Sequence, residues 1–223
     1  MKIGINLVGI SYNDGSNGSR YRNYEESVSS FFRYIVNPLL EKGHDIKFYL
    51  FSYDNIKKND IIKVYNPTKS NFVNECYNTL GGGDIISDGF KMMSISYINS
   101  LEQMIGEDLD LVISTRYDIN FYKNPFEEYQ YDFNKCNFLW REPLHTDLPI
   151  VNDTFIVFPY NMIQNVINAI VYMETNPPYN VNIGMHNFYL PMIKEVGPEN
   201  VQWLDNEFVK GIPNKLYNLT RHG

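Results

Sequence analysis

The sequence predicts an α/β fold, a single domain whose mainly parallel central sheet is flanked by helices, and three observations lead there. Short apolar runs alternate with longer stretches whose apolar residues recur at helical spacing. The run Leu111–Val112–Ile113 is short and mostly β-branched, the pattern of a strand buried on both faces. At 223 residues, with no internal repeat and no domain linker in its pattern, the chain suits one large domain.

The elements follow in order. Lys2–Ile10 is the first, central strand, and it runs into Ser11–Ser19, a loop of residues that tolerate unusual backbone angles and can wrap a ligand. Arg20 and Arg22 stand at its end, ahead of a helical pattern formed by Val28, Phe31, Phe32, Ile35, Leu39 and Leu40, with a kink expected at Pro38. The positive end of that helix and two guanidinium groups would favour a phosphate. The plainer reading pairs each arginine with Glu25 or Glu26 at the surface. Gly43 ends the helix, Asp45–Tyr53 is the second strand, and the strand–helix–strand order predicts a right-handed crossover. Ser52, Tyr53 and Asp54 then fall beside the first loop, where Tyr53 can stack on a base. Ile61–Tyr65 is expected to be a short strand and Ser70–Leu80 a short helix. Gly81–Gly82–Gly83 is a flexible joint, because neither a Lys-Ser/Thr pair nor the spaced glycines of a dinucleotide fingerprint follow it. From Asp88 the pattern is helical again and delivers the chain to Leu109.

The stretch Leu109–Phe121 is the expected centre. Ser114, Thr115, Arg116 and Asp118 arrive within one strand length of the apolar run, so a core strand ends by presenting an acid and a base at its carboxyl edge, where open α/β sheets bind ligands. Beyond it, Tyr122–Phe126 reads as a turn, Asn137–Arg141 as a strand, Trp140–Pro149 as a proline-flanked loop carrying His145, and Asp153–Phe158 as another strand. Met162–Met173 and Gly184–Ile193 read as helices, the second carrying His186, and Val201–Leu204 as a closing strand. Residues 1–118 are thus a nucleotide-binding half and 119–210 an acceptor half, with 211–223 a linker or tail.

Composition narrows the function. A formal net charge of −7 argues against coating a nucleic acid, which rests on counterion release by Lys and Arg. Two cysteines, Cys76 and Cys136, make neither a disulfide framework nor a cysteine zinc site. No run reaches membrane length and the start is strand-like rather than a signal peptide, so a cytoplasmic protein is expected. A Gly-x-Ser-x-Gly elbow, a His-Glu-x-x-His helix and a Cys pair near His are all missing from the sequence. What survives is an acid at a strand end, arginines near a loop and isolated histidines. Those are parts that suit a nucleotide diphosphate held through one Mg or Mn ion, which would neutralise a departing diphosphate.

The segments Asp110–Asp118, after a helix, and Asn152–Phe158 resemble GT-A-fold glycosyltransferases, the nucleotide-diphospho-sugar transferases. More narrowly, nearly the whole chain is similar to the amino-terminal glycosyltransferase domain of a large multidomain chlorella-virus protein that decorates the capsid glycoprotein. The usual Asp-x-Asp is here Arg116–Tyr117–Asp118, so one acid is replaced by a cation and metal dependence is expected to be weaker. The resemblance implies transfer of a hexose or deoxyhexose, of glucose or rhamnose type, from a UDP-sugar to an oligosaccharide acceptor. It implies that Asp118 binds Mn or Mg, with His186 or Asp205 completing the site. It implies a nucleotide pocket from Val8, Gly9, Ser11 and Tyr12, from Ser52 and Tyr53, and from the helix holding Lys91 and Ser94, beside Arg20 and Arg22. Asp153 is the candidate base for the acceptor hydroxyl, its plainer reading being a turn residue. Arg116 would touch diphosphate or sugar, and His145 the acceptor. Further domains of the same polypeptide are possible partners, and a viral chain would work in the host cytoplasm. A non-catalytic nucleotide-sugar or glycan-binding module is the second reading, motivated by the missing acid. A dinucleotide oxidoreductase is disfavoured because no glycine fingerprint lies between Gly9 and Tyr24.

Overall fold

A computed structural model describes residues 1–15, 21–74, 85–142, 150–151, 153–176, 184–205 and 216–222. The chain begins with β1 (Lys2–Val8), passes two short strands, β2 (Tyr12–Asn13) and β3 (Tyr21–Asn23), and enters α1 (Glu25–Phe31). A π-helical turn, Phe32–Val36, joins α1 to α2 (Asn37–Glu41), and there the Asn37 N–H donates to the Phe32 carbonyl five residues back. Pro38 lacks an N–H and its ring crowds the carbonyl four residues earlier, so the widened turn is the form the expected kink takes.

Next come β4 (Asp45–Tyr53), α3 (Lys58–Tyr65), β5 (Lys69–Val73) and α4 (Ile85–Glu102). Two expectations are corrected here. Residues 58–65 are a helix rather than a strand, because Ile61 and Tyr65, four apart, bury on one face and Asn66 ends the helix in the left-handed conformation, φ 43°. Residues 69–73 are a strand rather than the start of a helix, because they lie beside β4 and take up its open edge in parallel register.

The carboxyl half holds β6 (Leu111–Arg116), β7 (Ile119–Phe121), α5 (Pro125–Glu128), β8 (Cys136–Glu142), β9 (Ile150–Val151) and β10 (Phe155–Pro159). It continues through α6 (Ile163–Thr175), a 3-10 turn at Gly184–Phe188, α7 (Tyr189–Val196) and β11 (Val201–Asp205), and closes with β12 (Tyr217–Leu219) and β13 (Arg221–His222). The expected turn at 122–126 thus contains a short helix, with the Asn124 side chain accepting from the Phe126 N–H.

The main sheet has the order β5-β4-β1-β6-β10-β8-β11, with β9 added to β8. β5, β4, β1 and β6 run parallel, as do β8 and β11, while β10 is antiparallel to both of its neighbours. Strand alternation feeds two cores. Ile3, Ile5, Leu7, Leu111, Ile113, Phe155 and Val157 meet α1, α3 and β12 on one side. Val8, Val112, Ile156 and Phe158 meet α4, α6 and α7 on the other, which is why Leu111–Ile113 carries no polar face.

The segment expected to be linker or tail from Gly211 has a structural role in its described part. β12 pairs with β7 and β13 with β3, and Leu216 and Tyr217 are buried.

Candidate active site

Arg116 ends β6 at the carboxyl edge of the parallel strands, level with Val8 of β1. The chain then turns through Tyr117 and Asp118 into β7, and neighbours fasten that turn from both sides. Ser27 Oγ of α1 donates to the Tyr117 carbonyl, and the Thr220 N–H donates to the Asp118 carbonyl at 2.9 Å. So held, the Asp118 carboxylate faces Arg116, which donates from Nε to Oδ1 at 3.0 Å and from Nη2 to Oδ2 at 2.8 Å. This is a two-pronged, charge-assisted pair. Arg22, carried on β3, brings its Nε to 3.6 Å from Asp118 Oδ2.

On its other side Arg116 faces Asp153, with Nη1 3.8 Å from Oδ2. Asp153 reaches this edge because β10 is antiparallel: Phe155 lies opposite Thr115, so the residues just before β10 stand beside the end of β6. Thr115 Oγ1 donates to the Thr154 carbonyl at 2.9 Å, Tyr97 of α4 donates its hydroxyl to the Asp153 carbonyl at 2.6 Å, and Thr154 shares a hydroxyl contact with Tyr217. The result is a row of alternating charge, Arg22, Asp118, Arg116 and Asp153, whose side chains are 15%, 4%, 14% and 3% exposed.

Burial pulls the Arg116 pKa down, and the carboxylates of Asp118 and then Asp153 more than reverse it, so the guanidinium stays charged. Burial, reinforced by Asp153, pushes the Tyr97 phenol up. Asp153 Oδ2 is buried and has no hydrogen-bond partner among the described residues. Its ion pair with Arg116 is too long for a hydrogen bond. A buried acceptor left unmet costs about 1–3 kcal/mol, and a hydroxyl lodged between Nη1 and Oδ2 would satisfy both groups.

The other predicted residues divide. Gly9 leaves β1 with φ +108° and donates its N–H to the Phe51 carbonyl, a conformation that suits glycine. Ser11 and Ser52 are buried and hydrogen-bond each other, Oγ to Oγ at 2.7 Å, while Asn55 Nδ2 donates to Ser11 Oγ at 3.1 Å. Their hydroxyls fasten the loop to β4. Tyr12 lies on β2, opposite Asn23 of the strand that carries Arg22. Tyr53 is half-buried, with its hydroxyl 3.1 Å from Ser96 Oγ of α4, and Ser94 is fully buried on the same helix. Asp205 accepts from the Tyr129 hydroxyl at 3.2 Å. Arg20 and His145 lie outside the described residues. The backbone places Lys91 on α4 and His186 in the 3-10 turn, and their side chains lie outside the described part. Sequence reasoning missed Asn55, Tyr97, Thr154 and Tyr217. Of these, Thr154 lay in a stretch read as a strand and Tyr97 in one read as a helix, but neither segment's pattern marked the residue for the site.

The divalent cation implied by the resemblance would need oxygen ligands. Asp118 gives one oxygen to Arg116 and shares the other between Arg116 and Arg22, and Asp153 faces Arg116. A divalent ion held by Asp118 would adjoin two guanidinium groups; at ~4 Å and an effective dielectric of ~20 the repulsion is roughly 8 kcal/mol from each. The described residues hold no group of three or more His, Cys, Asp or Glu suited to a metal. As the described residues stand, Asp118 is the counter-ion of two arginines, a donor set that does not suit a cation.

In fold, the chain is similar to the crystal structure of a glycosyltransferase involved in the glycosylation of the major capsid of the virus PBCV-1. The likeness covers 92% of this chain and 83% of that one, with a TM-score of 0.50 and 9% sequence identity. The fold is GT-A-like, a mixed α/β domain with a mostly parallel central sheet between helices. No protein-family model matches the chain, and no curated protein matches its sequence at a significant level.

Proposed function

We propose that this chain is a glycosyltransferase that moves a hexose or deoxyhexose, of glucose or rhamnose type, from a UDP-sugar to a hydroxyl of an oligosaccharide acceptor. The observation that supports it most is Asp153: a buried carboxylate with one oxygen unmet, beside a fixed guanidinium, at the ligand-binding edge of a GT-A-like sheet. In this reading Asp153 Oδ2 accepts the proton of the acceptor hydroxyl. The acceptor oxygen forms its bond to the anomeric carbon as the bond from that carbon to the diphosphate breaks, and the electron pair leaves on the diphosphate oxygen. Arg116 and Arg22 face the charge that develops there. A single displacement of this kind inverts the anomeric centre.

The structural neighbour acts in glycosylating a viral capsid, which makes a surface-glycoprotein glycan the first acceptor to try. No helix among the described residues is long and apolar enough to cross a membrane.

The test is incubation of the whole chain with a panel of UDP-sugars, with the anomer of the released or transferred sugar read by NMR. Turnover with inversion is expected; UDP binding without any turnover would instead favour the second reading, a nucleotide-sugar or glycan-binding module. The mutual pairing of all four charged groups is the observation that keeps that second reading in view.

A further inference from the structure

We infer that this site grips the nucleotide diphosphate with its two guanidinium groups in place of a divalent cation, so that nucleotide binds without metal. The inference deepens the transferase reading and rests on it. Arg116 carries five N–H groups. Two go to Asp118, and Nη1 stands beyond hydrogen-bond distance of Asp153, so three have no acceptor among the described residues. Arg22 adds a second guanidinium, and both side chains retain some solvent access. The flat guanidinium fork matches two phosphate oxygens, which a point-charge ammonium does not.

Asp118 fits this division of work. Its bond to Arg116 fixes the fork before a ligand arrives, and it keeps a buried guanidinium from standing unpaired in the empty protein. Its oxygens are engaged on the side of the cations, so phosphate meets the N–H groups that Asp118 leaves. The neutralising role that a metal would fill for the departing diphosphate is thus filled by groups the fold holds in place.

Calorimetric titration of the whole chain with UDP, in EDTA and again with Mn²⁺ or Mg²⁺, tests this directly. The affinities are expected to agree within about threefold, and Mn²⁺ alone, followed by its EPR signal, is expected to stay free, since hard cations need several oxygen ligands. Arg22→Gln is expected to weaken UDP roughly tenfold, equally with and without metal, and to leave uridine binding unchanged, as loss of a charged hydrogen-bond donor does. A tenfold or greater tightening by metal, tight Mn²⁺ binding without nucleotide, or unchanged UDP affinity in a folded Arg22→Gln protein would overturn the inference while the transferase reading stood. Failure of UDP to bind with or without metal would overturn both.

Discussion

Arg116 is the residue on which the site turns, because it touches two carboxylates that do not touch each other. Arg116→Lys keeps the charge but not the fork, and turnover with a UDP-sugar is expected to fall about a hundredfold, most of it in kcat. Arg116→Ala leaves two buried carboxylates without their shared partner, and urea denaturation is expected to give a loss of about 3–5 kcal/mol. Asp153→Asn keeps the shape and removes the proton acceptor. Turnover is expected to drop roughly 10²–10⁴-fold, while UDP binding by calorimetry holds. A protein in which Asp153→Asn turned over normally would need another base. Arg116 and Asp118 were legible in the chain because they fall two apart at the end of an apolar run. Their direct pairing was not, since an acid beside a strand end serves a cation or an arginine equally well until the distances are known.

At the scale of elements, the loop between α4 and β6 is tied to the sheet edge through Glu107, which meets Lys69 of β5 at 2.7 Å and Lys47 of β4 at 3.5 Å. The hydrogen bond from Lys69 leads in holding the Glu107 carboxyl below its ordinary 4.5. A carboxyl lowered in the folded state adds stability that is present above the unfolded value, about 4.5, and is lost as pH falls through the folded value. Glu107→Gln should therefore lower stability at pH 7 and leave less to lose on acidification, visible as a shallower fall in urea midpoint from pH 5 to pH 3. β12 invites a second test. Tyr217 is buried against Phe121, ring centroids 5.7 Å apart, and Tyr217→Ala is expected to cost about 3 kcal/mol. A change under 1 kcal/mol in thermal or urea unfolding would return this segment to the role of a tail. The exchange of helix and strand at 58–73 has a plain cause. Ile61, Ile62, Val64 and Tyr65 satisfy both periods over so short a run, and the choice falls to the partner surface that buries Ile61 and Tyr65.

For the whole molecule the antiparallel β10 is decisive. Were it parallel to β6, Asp153 would stand at the amino edge, far from Arg116; reversed, it stands beside Thr115 and the end of β6. The closing strands act in the same way, since β12 buttresses β7 and β13 pairs with the strand bearing Arg22. A folded chain with this site should melt at a higher temperature when UDP is added, by an amount that grows with the logarithm of UDP concentration. Local order was set by the sequence itself: the central strands at 2–8 and 45–53, the helix at 163–175, and the strand whose end is Arg116, because hydrophobic period and chain punctuation act over a few residues. The direction of β10, the engagement of Asp118 by arginines and the unmet oxygen of Asp153 were settled only in the tertiary structure. Apart from the Arg116–Asp118 pair, whose members are two residues apart, each depends on groups tens of residues apart, whose distances come from packing two cores against one sheet.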